Sequence, residues 1–296
     1  MDVLILHGVI EDNEPTIPPE FSPEEVERYG RNISFFSWTD TTAETNHWNT
    51  QGLLKNGRVT IIGAGGTGSH AATALVAMGI GFLRLVDADT VDRSNLTRQV
   101  LYSERDIGRK KIEAAQERLV SLNQNVEIET VDQMISSTEE VKKVIEDVDI
   151  FILSANEPKD KIERFANQAA YEIKRTLIFA SYASTAVNCM TFVPGISPCF
   201  ECFYHELISS PIRRSYMDAE TLFPFNHAVI SPVAALPGQL AALEATYCLT
   251  GKGPRFATEA FQLNVVTMEQ VRPQRRYWSG CPICGQFRKT TNLEQG

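Results

Sequence analysis

A glycine-rich segment constrains this fold more than any other feature of the sequence. Residues 63–68, Gly-Ala-Gly-Gly-Thr-Gly, close the apolar run RVTIIG and open a run of small residues, 67–78, that is typical of a buried helix. A G-x-G-x-x-G turn in that context brings backbone N–H groups and a helix N terminus against a phosphate. The segment therefore predicts a βα unit that binds a nucleotide.

Apolar runs and amphipathic helices alternate beyond this segment. Strands are predicted at 58–63, 82–86, 126–131, 148–153 and 177–180, with helices at 67–78, 111–123, 139–146 and 161–173. The strands are continuous apolar runs, which is typical of a parallel sheet covered by helices on both faces. We predict an α/β fold with a doubly wound, mainly parallel, Rossmann-like sheet.

The flanking regions are less regular. We expect an N-terminal arm over 1–24 with one strand at 3–9, a helix at 24–37 that Gly30 weakens, and a polar loop at 38–56. Toward the C terminus we expect strands at 190–193 and 261–266, an irregular stretch at 204–228 and a helix at 233–248. This organisation predicts one nucleotide-binding domain over 25–286 and a tail over 287–296.

Charge and hydropathy exclude several classes of protein. The 296 residues carry a net charge of -9, which argues against binding nucleic acid, because a phosphate backbone requires a basic face. Residues 1–7 are not typical of a secretory signal, and no apolar run approaches the roughly 18–20 residues that a membrane helix requires. We expect a cytoplasmic protein that does not bind membranes, whose cysteines are free thiols or metal ligands.

Four of the six cysteines form two C-x₂-C pairs, which are Cys199 with Cys202 and Cys281 with Cys284. Two such pairs in a cytosolic chain are typical of a closed, tetrahedral Cys₄ zinc site. Thioredoxin-like redox chemistry is the alternative, but neither pair follows the first βαβ strand. We predict a structural Zn²⁺ that clamps the C-terminal segment to the main domain.

Charged side chains beyond the glycine segment bear on which nucleotide binds. Asp87 ends the second predicted strand, where a carboxylate can accept hydrogen bonds from ribose hydroxyls. That much suits NAD as well as ATP. Arg98 and Lys111 then favour a triphosphate, because its charge must be neutralised as pyrophosphate leaves.

These motifs resemble those of the ThiF/MoeB adenylyltransferase family, which includes the catalytic half of ubiquitin-activating enzymes. The family patterns G-x-G-G-x-G, D-x-D-x-V-x-x-S-N-L-x-R-Q and D-x-G-x-x-K stand in order at 63–68, 87–99 and 106–111. Upstream, Arg28-Tyr29-Gly30-Arg31-Asn32 matches R-Y-x-R-Q except at its last position. The resemblance covers about residues 24–286.

The resemblance implies an enzyme that uses Mg²⁺ and ATP to adenylate a carboxylate of a peptide or a small ubiquitin-like protein. It also implies the same zinc site and a homodimer, in which Arg31 reaches the triphosphate of the neighbouring subunit. The implied catalytic residues are Arg31, Arg98, Lys111 and Asn156. The implied nucleotide-binding residues are Gly63, Gly65, Gly66, Gly68, Asp87, Asp89, Asn95, Arg98 and Lys111.

Two departures from the family pattern bear on the reaction. Asn156 stands where the family has a magnesium-binding aspartate, with Glu157 and Asp160 as nearby carboxylates. The stretch 222–229 contains no cysteine where thioester-forming members carry one, which argues against a ubiquitin-type thiol handoff.

The sequence leaves several functions open. Residues 154–158, Ser-Ala-Asn-Glu-Pro, resemble the S-A-D-x-P variant of enzymes that modify ribosomal peptide antibiotic precursors, which favours that class. Adenylation of a sulfur carrier in thiamine or molybdopterin synthesis is one alternative, and a catalytically inactive docking scaffold is another. A nicotinamide oxidoreductase explains the glycine segment but neither Arg98 nor Lys111.

Overall fold

The computed structural model describes residues 16–39, 46–209 and 228–285. Within these ranges, eight strands form one sheet in the order β3-β2-β1-β4-β5-β6-β7-β8. The strands are β1 (Arg58–Ile62), β2 (Phe82–Val86), β3 (Glu127–Val131), β4 (Ile150–Leu153), β5 (Thr176–Ala183), β6 (Ala186–Phe192), β7 (Phe261–Asn264) and β8 (Glu269–Val271). Strands β1 to β5 are parallel, and the pairs β5-β6, β6-β7 and β7-β8 are antiparallel.

Helices cover both faces of this sheet. They are α1 (Pro23–Thr39), α2 (His47–Asn56), α3 (Gly66–Met78), α4 (Lys111–Leu122), α5 (Thr138–Ile145), α6 (Ile162–Glu172), α7 (Phe200–Ser209) and α8 (Ser231–Leu249). Side chains of α3, α4 and α8 bury one face, and those of α5, α6 and α7 bury the other. The prediction of a mainly parallel, doubly wound α/β sheet is confirmed.

The long helix α8 packs directly against α3. Gly238 permits this close approach, because a Cβ at that position would lie 2.4 Å from the carbonyl oxygen of Thr67. Pro237 lies inside α8 and is buried there. The crossing fixes the first turn of α3, which follows the glycine segment.

Helices α1 and α2 pack at the amino edge of the sheet, beside a small cluster of Phe21, Tyr29 and Trp48. The predicted loop at 38–56 is wrong for its second half, which forms α2. The side chain of Asn46 accepts a hydrogen bond from the Trp48 N–H and caps this helix. Helix α1 continues through Gly30, because its anchoring side chains stay buried on one side.

Three other boundaries differ from the sequence predictions. Strand β6 starts at Ala186 rather than at residue 190, α7 occupies the first part of the predicted irregular stretch, and β8 was not predicted. The strand predicted at 3–9 and the whole of the tail predicted at 287–296 lie outside the described residues. Within the described ranges, every helix is too short or too polar to cross a membrane. The predicted domain limits stay predictions.

Candidate functional site

A cavity of about 330 Å³ opens at the carboxyl edge of the sheet, where β1 lies between β2 and β4. The chain continues from β1 to β2 and β3 on one side and to β4 and β5 on the other, so the strand order reverses here. Open α/β sheets bind ligands in the crevice at such a point. Its volume is in the range of small-molecule sites. Nine predicted residues line it, namely Gly63, Gly65, Gly66, Asp87, Asp89, Asn95, Arg98, Lys111 and Asn156.

Two glycines give the segment 63–68 its shape. Gly63 has φ of 102°, and a Cβ there would lie 2.7 Å from the backbone nitrogen of Ala155. A Cβ on Gly68 would lie 1.9 Å from the carbonyl oxygen of Gly63. Gly68 is not among the cavity-lining residues, so its role is to allow the close packing of the loop. The first N–H groups of α3 have no acceptor within the helix and are open to a ligand.

Three side chains from other segments fix this loop. The Asp87 carboxylate accepts a hydrogen bond from the Ala64 N–H at 2.7 Å. The Ser154 hydroxyl donates to the Gly63 carbonyl at 2.8 Å, and the Tyr102 hydroxyl donates to the Ala64 carbonyl at 2.9 Å. Burial raises the pKa of Tyr102, which keeps this donor protonated. Neither hydroxyl group was predicted to bind the loop, although Ser154 belongs to the Ser-Ala-Asn-Glu-Pro segment at 154–158.

Two cationic side chains enter the cavity from the segments after β2. Lys111 is buried, and its Nζ lies 2.7 Å from Asp89 Oδ2 and 4.0 Å from Asp87 Oδ1. Arg98 Nη1 donates to the Ser94 carbonyl at 3.0 Å, whereas the buried Arg98 Nε has no hydrogen-bond partner among the described residues. The cavity thus holds two cations beside the backbone amides of the loop, an arrangement that suits a polyanionic ligand.

The end of β4 supplies the opposite wall. Asn156 is exposed to the cavity, and Glu157 lines it while its Oε2 accepts a hydrogen bond from the Lys159 N–H at 3.0 Å. Asp160 is not among the lining residues. Glu163, in the first turn of α6, does line the cavity and was missed by the sequence analysis. Burial raises the pKa of its carboxyl group, and the charges of Asp160 and Glu157 add to this shift.

Arg31 is not part of this cavity. It is exposed on α1, and the adjacent Asn32 donates to the Met78 carbonyl at the C-terminal end of α3. The glycine segment lies at the other end of α3, and a helix of 13 residues is about 20 Å long. Arg31 therefore does not reach the cavity of its own subunit. Its predicted action on a neighbouring subunit stays a prediction.

The four cysteines predicted to bind zinc come together on the face of the sheet that α5, α6 and α7 cover. All four are buried free thiols whose sulfur atoms lie within 4.8 Å of one another. The Sγ distances are 3.4 Å for Cys199 to Cys281, 3.3 Å for Cys202 to Cys284 and 4.0 Å for Cys199 to Cys202. A tetrahedral Zn²⁺ with bonds of about 2.3 Å requires sulfur separations of about 3.8 Å, so the cluster fits this ion.

Groups around the cluster favour the thiolate form, which a metal requires, at Cys202. Hydrogen bonds from Cys199 and Cys284 lower the pKa of Cys202, whereas the pKa values of Cys199 and Cys284 themselves are raised, that of Cys199 chiefly by its hydrogen bond to Cys202. The Trp278 N–H also donates to Cys202 Sγ at 3.3 Å. The cluster joins the start of α7 to the segment after β8, as the predicted clamp requires.

Comparisons with known proteins agree with this geometry. The chain is 27% identical to the adenylyltransferase and sulfurtransferase UBA4 of Lodderomyces elongisporus over 94% of its length, and it spans 58% of that protein. It is also 27% identical to the molybdopterin-synthase adenylyltransferase of Escherichia coli, covering 90% of this chain and 99% of that protein.

Solved structures of MccB share the fold. Escherichia coli MccB with ATP superposes with a TM-score of 0.75 at 25% identity, covering 91% of this chain and 76% of MccB. The microcin C7 biosynthetic enzyme MccB in complex with N-formylated MccA gives a TM-score of 0.76 at 25% identity, with coverages of 91% and 77%. The model of the ThiF family matches residues 29–283, which is most of the sequence. The chain belongs to the ThiF family.

Proposed function

We propose that this chain uses ATP to adenylate a carboxylate of a peptide or a small protein. The observation that carries the proposal is the convergence of Arg98 and Lys111 on the cavity that the glycine segment forms. A glycine loop alone suits any dinucleotide. Two added cations suit a ligand whose charge increases as a phosphate group leaves.

The cavity walls indicate how ATP would lie. Met134 and Ile135, just beyond β3, offer an apolar wall for the base. Asp87 is fixed by the N–H groups of Ala64 and Asp89 and accepts the ribose hydroxyls. The phosphates then follow the glycine segment toward the two cations.

The proposed reaction forms one bond and breaks one. A carboxylate oxygen of the substrate attacks the α-phosphorus of ATP, and the bond from that phosphorus to the bridging oxygen of the β-phosphate breaks. The electron pair leaves with pyrophosphate, whose developing charge Arg98 and Lys111 neutralise. The acyl-adenylate then reacts with an external or an intramolecular nucleophile.

We infer a precursor peptide as the first substrate class to test. Residues 154–158, which resemble the S-A-D-x-P segment of peptide-modifying members, line the cavity through Ser154, Ala155, Asn156 and Glu157. The similarity to MccB, solved in complex with N-formylated MccA, supports this class. A sulfur carrier protein is the second class, supported by similarity to the molybdopterin-synthase enzyme over nearly its full length.

Isotope exchange between pyrophosphate and ATP tests adenylation directly. We expect exchange that depends on a candidate peptide or carrier protein and that disappears in Lys111→Met. Lys110→Met is the matched control, because Lys110 binds the Ala88 carbonyl and Asp132 and is not among the cavity-lining residues. Absence of exchange with every peptide and carrier, in a protein that binds ATP, would favour the docking scaffold instead.

Thermal unfolding separates this function from a nicotinamide oxidoreductase. A ligand that binds only the folded state raises Tm by an amount that grows with its concentration over Kd. We expect ATP to raise Tm and NAD to leave it unchanged. The reverse result would contradict the proposed function.

A further inference from the structure

The cavity has an amide where a divalent cation that accompanies ATP would need a carboxylate. Mg²⁺ prefers carboxylate oxygens, and the Asn156 amide offers a neutral oxygen only. The carboxylates on the β2 side are already engaged. Asp87 accepts hydrogen bonds from two backbone N–H groups, and Asp89 binds Lys111.

One carboxylate oxygen on the β4 side remains without a partner. Glu163 lines the cavity together with Asn156, and its buried Oε2 makes no hydrogen bond within the part of the chain that the structure describes. A buried polar atom that is left unpaired costs free energy, because it loses water and gains nothing in return. Native folds keep such atoms rarely, and a ligand that completes the atom's contacts is one reason to keep them.

The two neighbouring acids do not match this description. Glu157 lines the cavity, but its side chain is exposed and accepts the Lys159 N–H. Asp160 is exposed, has a left-handed backbone with φ of 61° and is not among the lining residues. Glu163 is therefore the acid of this segment that combines a buried, unpaired oxygen with a place at the cavity wall.

We propose that Glu163 supplies the carboxylate ligand for the divalent cation that enters with the triphosphate, with the Asn156 amide oxygen as a neutral ligand beside it. This inference rests on the proposed function, because the cation arrives with the nucleotide. When bound, the cation would neutralise phosphate charge. Glu163 would thus replace in function the carboxylate that position 156 lacks.

A Mn²⁺ binding measurement tests the proposal without a turnover assay. Binding is monitored as the decrease in the EPR signal of free Mn²⁺. The full chain is titrated with Mn²⁺ in the presence of α,β-methylene ATP. We expect one site that depends on the nucleotide, and an affinity at least about tenfold weaker in Glu163→Gln. Asp160→Asn is the matched control, because it removes a nearby charge outside the cavity wall, and its Mn²⁺ affinity should stay within about twofold of wild type.

A double variant tests the assignment by restoring the carboxylate. Adding Asn156→Asp to Glu163→Gln restores a carboxylate at the family position and should recover most of the lost Mn²⁺ affinity. Glu163→Gln should not lower the Tm, because burial of the Glu163 charge is unfavourable in the folded protein.

The outcomes separate this inference from the proposed function. Nucleotide binding is measured in parallel in EDTA. Unchanged Mn²⁺ affinity in Glu163→Gln, or no nucleotide-dependent Mn²⁺ site in a wild type that binds the analogue, would overturn the assignment of Glu163 alone. Absence of nucleotide binding in EDTA and in Mn²⁺ would overturn both.

Discussion

Substituting Gly65 and Gly68 by alanine, one at a time, separates the part of the loop that the fold requires from the part that a phosphate requires. A Cβ on Gly68 would lie 1.9 Å from the Gly63 carbonyl oxygen and 2.7 Å from Ser154 Oγ. A Cβ on Gly65 has only Gln99 Nε2 nearby, at 3.9 Å, and the Gly65 backbone is extended with φ of -74°. The first substitution therefore collides with the backbone, and the second meets open space at the cavity wall.

The two variants should differ in both stability and binding. Gly68→Ala forces the backbone to move by about 1 Å, and overpacking of this kind costs about 1–3 kcal/mol, or a fall in Tm of about 2–12 °C. Gly65→Ala should leave Tm unchanged or slightly raised, because alanine restricts the unfolded chain. Its methyl group blocks one contact between backbone N–H and phosphate. A hydrogen bond to a charged group is worth about 1.5–3 kcal/mol, so ATP binds roughly 10- to 150-fold more weakly.

Differential scanning fluorimetry and calorimetric titration with ATP measure the two effects independently. Wild-type ATP affinity in Gly65→Ala would refute the idea that this loop contacts phosphate. A Gly68→Ala variant with wild-type Tm would refute the steric argument. Gly52→Ala supplies a control, because Gly52 lies in α2 outside the cavity wall and an added Cβ would meet Glu20 Oε1 at 3.8 Å, an ordinary contact.

Three further predictions concern other parts of the molecule. A strong chelator should remove one Zn²⁺ per chain, measured with a colorimetric dye, and should lower Tm. The control variant Cys248→Ser, whose substitution lies outside the cluster, should retain the ion. Hydrogen bonds from Arg84 lower the pKa of Asp147 to about 2, so Asp147→Asn should lower Tm at pH 7, and the difference from wild type should shrink as the pH falls from about 4 through 2; a difference at pH 2 as large as that at pH 7 would contradict this. Mixed dimers of Arg31→Ala and Lys111→Met should regain about a quarter of wild-type exchange activity if Arg31 serves the neighbouring site of a twofold dimer, and none if it serves its own.

The sheet could be predicted from sequence because its central strands are buried on both faces. Such strands are continuous apolar runs, and each is followed by a helix with a clear apolar side. Helix α2 escaped prediction because its sequence is polar and it depends on distant contacts. It is capped by Asn46 and anchored by Trp48 against Phe21, whose rings lie 5.0 Å apart. A local pattern does not record such a contact.

The residues of the candidate site also fall into those that the sequence predicts and those that it does not. Residues that belong to short, ordered motifs, such as Gly65, Asp87 and Lys111, reach one cavity because the carboxyl ends of parallel strands meet at one edge. The side chains that fix the loop, Ser154 and Tyr102, lie far from it in sequence and bind only its carbonyl oxygens. A hydroxyl that binds a backbone carbonyl leaves no characteristic spacing, so neither the segment at 154–158 that contains Ser154 nor the sequence around Tyr102 reveals this role.

The substitution at position 156 shows why a missing motif residue is a question about tertiary structure. The sequence places Glu157, Asp160 and Glu163 within seven residues of Asn156, and each carries the charge that Mg²⁺ prefers. Their spacing does not rank them. Packing at the start of α6 does, because it places Glu163 at the cavity wall with a buried, unpaired oxygen while Asp160 stays in solvent. A site can thus lose the carboxylate at its motif position and still have one, provided that the next helix begins close enough to the cavity to supply it.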